Sequence, residues 1–444
     1  MALKNEPWFK FSDGLENELR QAREEGRIID AQLEKEIIET VAMPSGKEKN
    51  ARARELFDRV QACECPNDAK EPSVLADIQA LRPGMPLANV PDSDIVYDKI
   101  YGGWLGRASG CLLGKPLEGW RSKNMHTFFK LTDNWPLNRY VSSDVPVELF
   151  QQAELKDYEY NGRAFINTVD CMPEDDDTNY TLIALRLIET AGRGFTPDDV
   201  AECWLRNLPF LHLCTAERVA YRNIVMGCDT SESAVTMNTY REWIGAQIRG
   251  DYFGYINPGD PELAAEMAWR DACISHVKNG IYGEMWVAAM IAAAFTTDDI
   301  LSVIEAGLAE IPPESRLTLA IRDVIAWWKE GVPAEDVFTR IHTRWDEHNS
   351  HDWCHTISNA QIVAYALLYG EKDFERTLSL SVSAAFDTDC NGATAGSVLG
   401  VVLGAKALPE KWIAPLNDSL ESGVDGFGRV KISDMASRTM KLLG

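Results

Sequence analysis

The stretch PEDDDT sets four consecutive acids, Glu174, Asp175, Asp176 and Asp177, directly before an apolar run, TLIALRLIE. One or two acids there make an ordinary helix start, because aspartate caps free N–H groups and negative charge complements the helix dipole. Four exceed what a cap needs. Two more acidic sites stand beside glycine-rich stretches. Glu118 ends YGGWLGRASGCLLGKPLE, just behind the stop signal Gly114-Lys115-Pro116. Asp387 and Asp389 precede CNGATAGSVLGVVLGAKAL. Bringing Glu118, Asp175, Asp176, Asp177, Asp387 and Asp389 to one point would drive several carboxyl pKa values up unless cations were present. An oxygen-only donor set selects hard cations, Mg²⁺ first, with Mn²⁺ or Ca²⁺ as substitutes.

The elements that would gather these acids are legible in the glycine spacing. Gly102, Gly106, Gly110 and Gly114 recur every four residues, as do Gly392, Gly396, Gly400 and Gly404. Each interior glycine costs a helix roughly 1 kcal/mol relative to alanine, so two such stripes call for close helix-on-helix packing. Packed antiparallel, the two helices bring the end carrying Glu118 to the end carrying Asp387 and Asp389.

Around them, apolar runs at helical spacing dominate and period-two alternation is scarce, which predicts a mostly α chain. Residues 15–41 and 45–63 read as charged surface helices, and a Pro-rich connector from Cys63 to Asp94 separates them from the body. Residues 121–168, rich in aromatics, Pro and Asn, lack periodicity and read as a lid or pocket wall. The ten cysteines show no zinc-site spacing and read as reduced thiols. A formal charge of −24 argues against a nucleic-acid grip. No membrane span or export signal is apparent, so a cytoplasmic location is expected. His342, His348, His351 and His355 crowd into HTRWDEHNSHDWCHT, which reads as a polar loop near the cleft in preference to a metal site.

GGWLGRASGCLLGKPLE, PEDDDTNYTLIALRLIE and FDTDCNGATAGSVLGVVLGA, in that order, resemble three motifs of the ADP-ribosylglycohydrolase family, over residues 96–410. The resemblance implies an all-α fold, a single large orthogonal helical bundle at 96–444 behind an N-terminal helical appendage and linker at 1–95. It implies two Mg²⁺ ions held by Glu118, Asp176, Asp177, Asp387 and Asp389, with Asp175 able to add oxygen, and Glu118 and Asp177 as catalytic carboxylates. The chain departs from the family pattern at Asp175 and Cys390, where threonine is usual; a thiol is a poor Mg²⁺ ligand. His276 resembles a family histidine near the substrate, and Asn279 and Tyr282 would line the same pocket.

The implied reaction is hydrolysis of a ribose α-glycosidic bond, releasing an ADP-ribosyl or related ribosyl group from a protein or a small-molecule acceptor. Two alternatives share the fold: a ribosyl N-glycosidase acting on a nucleoside or other small molecule, and a non-catalytic ADP-ribose-binding protein. Acids at all five matched positions favour catalysis. The sequence assigns no oligomeric state.

Overall fold

The computed structural model describes residues 7–86 and 88–443 of the chain. Among them lie 24 α-helices and one two-stranded antiparallel sheet, in which Ser419–Ser422 pairs with Gly428–Lys431. No helix of the described residues is long and apolar enough to cross a membrane. Several helix starts follow their caps: Asp30, Asp260, Asp299, Ser315 and Asp373 each accept the N–H three residues on.

Two antiparallel glycine helices, Ser93–Gly114 and Thr388–Leu403, form the axis of the body. Gly102 faces Gly400, Gly106 faces Gly396, Gly110 faces Gly392, and Gly114 faces Thr388. A methyl group added at any rung would collide with the facing backbone carbonyl. The helix-propensity penalty is thus offset by main-chain contact that no side chain would permit. Thr388 Oγ1 fixes the last rung by donating to the Gly114 carbonyl at 2.9 Å. At the opposite end Lys99 Nζ donates to the carbonyls of Ala294, Val401 and Val402. Two helices that are buried at every position, Lys278–Ala294 and Thr356–Tyr369, complete the centre. Their apolar character on all sides is what a fully enclosed helix requires.

Residues 15–41, expected as surface helices, are tied to the body along one face. Helix Leu15–Glu24 buries Leu15, Glu18, Gln21 and Ala22. With helices Ala31–Val41 and Lys47–Gln61 it forms a small apolar core around Leu33, Ile37, Leu56 and Phe57. Its buried acids meet the body's cations. Arg241 reaches Glu18 at 2.6 Å and Glu25 at 2.7 Å, and Gln21 donates to Glu242 at 2.6 Å. The connector is strapped down as well: Arg316 forks onto Glu71, Trp269 donates to the Ser73 carbonyl, and Met85 N–H donates to Glu310. Charge density alone suggested exposure; the acids are buried because each finds an arginine or an amide.

Residues 121–168 depart from the expected lid. They fold into three short helices, Ser122–Leu131, Val147–Gln152 and Asp157–Tyr160. Phe128, Phe150 and Tyr160 stack in series, with centroids 4.5 Å and 4.1 Å apart, and Trp120 packs edge-on against Phe128. His126 and Ser122 tie this unit to Ser383 and Glu347. Two of the three helices are too short to show a period, and the one that shows it, burying Met125, Phe128 and Phe129 at helical spacing, is a single stretch of ten residues.

Candidate active site

The three acidic helix ends converge as the antiparallel packing requires. Asp175 caps helix Asp176–Ala191: one carboxylate oxygen accepts the Asp177 N–H at 2.9 Å, and the other accepts Lys115 Nζ at 2.7 Å. Asp177 is fully buried. Arg107 holds it by donating to its carboxylate at 3.1 Å and its carbonyl at 2.6 Å, while reaching Asp251 at 2.9 Å. Asp387 and Asp389 flank the start of the second glycine helix. Ahead of them Ala385 and Phe386 both adopt left-handed backbone, φ 61° and 57°. Two consecutive left-handed non-glycine residues are costly, and they turn the chain so that Asp387 meets the Glu118 loop. Ligand atoms of Glu118, Asp387 and Asp389 lie within 4.8 Å of one another, as do those of Asp177, Asp389 and Cys390.

The electrostatics of this cluster call for positive charge. Asp389 is the largest influence pushing the Glu118 carboxyl well above its usual range, followed by burial and Asp176. Burial, reinforced by neighbouring carboxylates, likewise raises Asp176, Asp177, Asp387 and Asp389. Asp175 runs the other way: burial is opposed by the Lys115 ammonium, which holds it below its usual value. Lys115 and Arg107, the latter shared with Asp251, cannot neutralise the rest. Asp389 Oδ1 is buried with no hydrogen-bond partner. A buried, unpartnered carboxylate oxygen among raised carboxyls is what a cation site presents in the absence of its ion. The oxygen donors of Glu118, Asp176, Asp177, Asp387 and Asp389 fit a hard divalent ion. Asp175, with both oxygens engaged, fits a supporting position, and burial drives the Cys390 thiol up, keeping it protonated and unsuited to such an ion.

These acids open on a cleft of about 840 Å³. Glu118, Asp176, Asp387, Asp389 and Cys390 line one side; Tyr240, Trp243 and Trp353 supply aromatic surface. Trp8, Asp13, Glu16, Asn17, Leu19, Arg20 and Arg23 from the N-terminal segment line the same cleft. Sequence reasoning missed this wall and also Glu217, which lines the cleft and is held by Arg249 at 2.6 Å. The one available signal was the three- and four-residue recurrence of Glu16, Asn17, Arg20 and Arg23.

The three expected substrate contacts sit behind the cleft, not in its lining. His276 is buried, shares a hydrogen bond with Ser275 at 2.8 Å, and lies 4.0 Å from Glu217; burial pushes its pKa well down. Asn279 donates to Glu242 at 2.9 Å and accepts the Leu317 N–H at 2.9 Å. Tyr282 donates to the Pro72 carbonyl. Tyr282 thus serves the joint with the connector, while Asn279 and His276 bind other parts of the body.

The histidine-rich segment is also less exposed than expected: His348 is exposed, but His351 and His355 are buried. His351 Nδ1 accepts the Trp243 indole N–H at 3.1 Å, and His355 Nδ1 accepts the Ile357 N–H at 3.1 Å. Each neutral ring therefore carries its proton on Nε2. Those N–H groups face Glu24 of the N-terminal helix, at 2.8 Å and 3.6 Å. No ring lone pair is left for a metal.

A sequence profile of the ADP-ribosylglycohydrolase family matches residues 92–443. The chain belongs to that family. ADP-ribosylglycohydrolases are metal-dependent hydrolases of glycosyl bonds that act on ADP-ribosylated substrates. A solved structure described as an ADP-ribosylglycohydrolase-related protein complex shares the fold, with a TM-score of 0.51 at 18% identity over 79% of this chain and 98% of that one. No curated protein matches the chain in sequence. As an ADP-ribosylglycohydrolase, the chain carries its acidic cluster where two glycine helices and one acid-capped helix end together.

Proposed function

We propose that this chain cleaves the α-glycosidic bond between an ADP-ribosyl or related ribosyl group and its acceptor, with two Mg²⁺ ions held by Glu118, Asp176, Asp177, Asp387 and Asp389. The observation that carries this reading is that Glu118, Asp387 and Asp389 stand within ligand distance of one another, as do Asp177 and Asp389, with Asp389 Oδ1 buried and unpartnered, beside a cleft of ligand size that Glu118, Asp176, Asp387 and Asp389 line. When bound, the ions supply positive charge that keeps the carboxyls ionised, grips the ribose diol and lowers the pKa of water.

The chain's own groups do the rest. Glu118 takes one proton of the attacking water as the hydroxyl joins the anomeric carbon and the bond to the acceptor breaks, and that proton ends on the released acceptor atom. Its backbone is steadied by Arg163, which donates to the Glu118 carbonyl at 2.6 Å and the Pro116 carbonyl at 3.3 Å. Arg107 fixes Asp177, and Lys115 fixes Asp175. Tyr240, Trp243 and Trp353 offer apolar faces to the nucleotide.

Calorimetric titration with Mg²⁺ should show binding that Asp389→Asn weakens, and EDTA should stop release of ADP-ribose from ADP-ribosyl-arginine or ADP-ribosyl-serine. Glu118→Gln should lower kcat by about 10²–10⁴. Undiminished turnover by Glu118→Gln with metal bound would remove Glu118 from the mechanism.

A further inference from the structure

The acids of the cluster do not offer a cation equal company. Glu118, Asp387 and Asp389 bring their ligand atoms within 4.8 Å of one another as an oxygen-only triad. Among the described residues no lysine or arginine pairs with their carboxylates; Lys115 acts on Glu118 and Asp389 only from beyond pairing distance. The second triad, Asp177, Asp389 and Cys390, includes a thiol. From this contrast we propose that the chain holds its two ions unequally: the Glu118–Asp387–Asp389 position is tight, and the Asp177–Asp389–Cys390 position is weak and exchangeable, because built-in cations already serve the carboxylates around it. This rests on the two-ion glycohydrolase reading and deepens it, since occupancy of the second position then follows the free Mg²⁺ concentration.

The second position is ringed by groups that already answer its charge. Arg107 donates to Asp177 Oδ1 at 3.1 Å, and the other Asp177 oxygen faces the Cys111 thiol at 4.0 Å. Asp175 is spent in the same neighbourhood, on Lys115 Nζ at 2.7 Å and on the Asp177 N–H at 2.9 Å. A dication entering there meets a guanidinium and an ammonium at short range, together with two thiols, which are poor partners for Mg²⁺. Arg107 cannot withdraw: it is fully buried and also bonded to Asp251, Thr181 and the Ile248 carbonyl. Lys115 keeps about a quarter of its side chain exposed, so it is the cation that can give way.

The first position has an open oxygen instead. Asp389 Oδ1 is buried and has no hydrogen-bond partner. Asp389 belongs to both triads, so an ion in the first position draws on the one carboxylate they share and repels a second ion. Asp176 lines the cleft outside both triads and does not distinguish them.

The test titrates the full-length protein, freed of metal with EDTA and dialysed, with Mg²⁺ by calorimetry and with Mn²⁺ by electron paramagnetic resonance. Two steps are expected, with Kd values at least about tenfold apart. Asp387→Asn should weaken the tight step by about tenfold or more. Lys115→Gln frees an Asp175 oxygen, and Cys390→Thr offers a hydroxyl oxygen in place of a thiol. Each should tighten the weak step by about tenfold and leave the tight one within about twofold. One step in the unaltered protein that becomes two in these variants is the same result, with the weak constant out of range. Equal steps in the unaltered protein, or a gap that neither variant narrows, overturns the inequality. Release of ADP-ribose from ADP-ribosyl-arginine and ADP-ribosyl-serine is followed in the same samples. Unequal binding without release from either overturns the glycohydrolase reading and leaves the inequality standing.

Discussion

Residues 8–25 and residues 121–168 both reach the active site, the first with side chains and the second through the main chain. The N-terminal segment contributes Trp8, Glu16, Asn17 and Arg20 to the cleft, and its opposite face is bound to the body by buried ion pairs. Residues 121–168 contribute nothing to the cleft lining among the described residues; their Arg163 grips the carbonyls of Pro116 and Glu118. One region lines the cleft. The other steadies the backbone of Glu118. The difference teaches that proximity to a site is compatible with opposite kinds of influence on it: on the proposed function the first acts on KM and the second on kcat.

The strongest way to break this contrast is to unfasten the wall. Arg241→Met leaves Glu18 buried without its cation and leaves Glu25 with Arg27 and Lys278 alone, and should cost about 3–5 kcal/mol of stability. Hydrogen exchange should then quicken in residues 15–25 first. Uniform quickening through residues 121–168 would show that the two regions unfold as one unit.

Acidification acts on the same joint more gently. Burial holds His355 down at about 4, and Glu24 sits at about 2 because its histidine and arginine partners outweigh its own burial. Both folded-state values lie below their unfolded ones, so the unfolded chain binds more protons as pH falls, and stability is lost from about pH 6.5 downward through pH 4. The His355 share is on the order of 3 kcal/mol. A melting-temperature profile against pH should flatten across that window in His355→Gln. An unaltered profile would assign the pH response elsewhere.

The smallest effect sharpens the other half of the comparison. Arg163→Leu removes the clamp on the Glu118 carbonyl without touching the cleft lining, and kcat should fall about tenfold with KM unchanged. A rise in KM instead would make residues 121–168 part of the substrate wall after all.

Much of the site was legible because it is written in local chemistry. Glycines at four-residue spacing carry their own explanation, and it is the pairing of Gly106 with Gly396 and Gly110 with Gly392 that brings Glu118 to Asp387 and Asp389. The N-terminal wall was not legible, since nothing in the local pattern says that Glu18 and Glu25 would find Arg241, more than two hundred residues away. Charged helices advertise exposure unless the partner is known. The same gap explains Asn279 and Tyr282, whose polar groups answer to Glu242 and to the connector. The aromatic unit was misread for a different reason: its order comes from ring stacking between helices of which only Ser122–Leu131 is long enough to carry a period.

The glycine ladder also acts as a vernier. A slip of one repeat, four residues, would keep most glycines opposite glycines, yet it would part Glu118 from Asp387 and Asp389 by about 6 Å. The hydrogen bond from Thr388 to the Gly114 carbonyl belongs to one setting alone. The span between the acids is therefore graduated in whole helical steps and read off the main chain, so drift in side-chain packing leaves it unaltered, whereas a single methyl on the scale would move every mark.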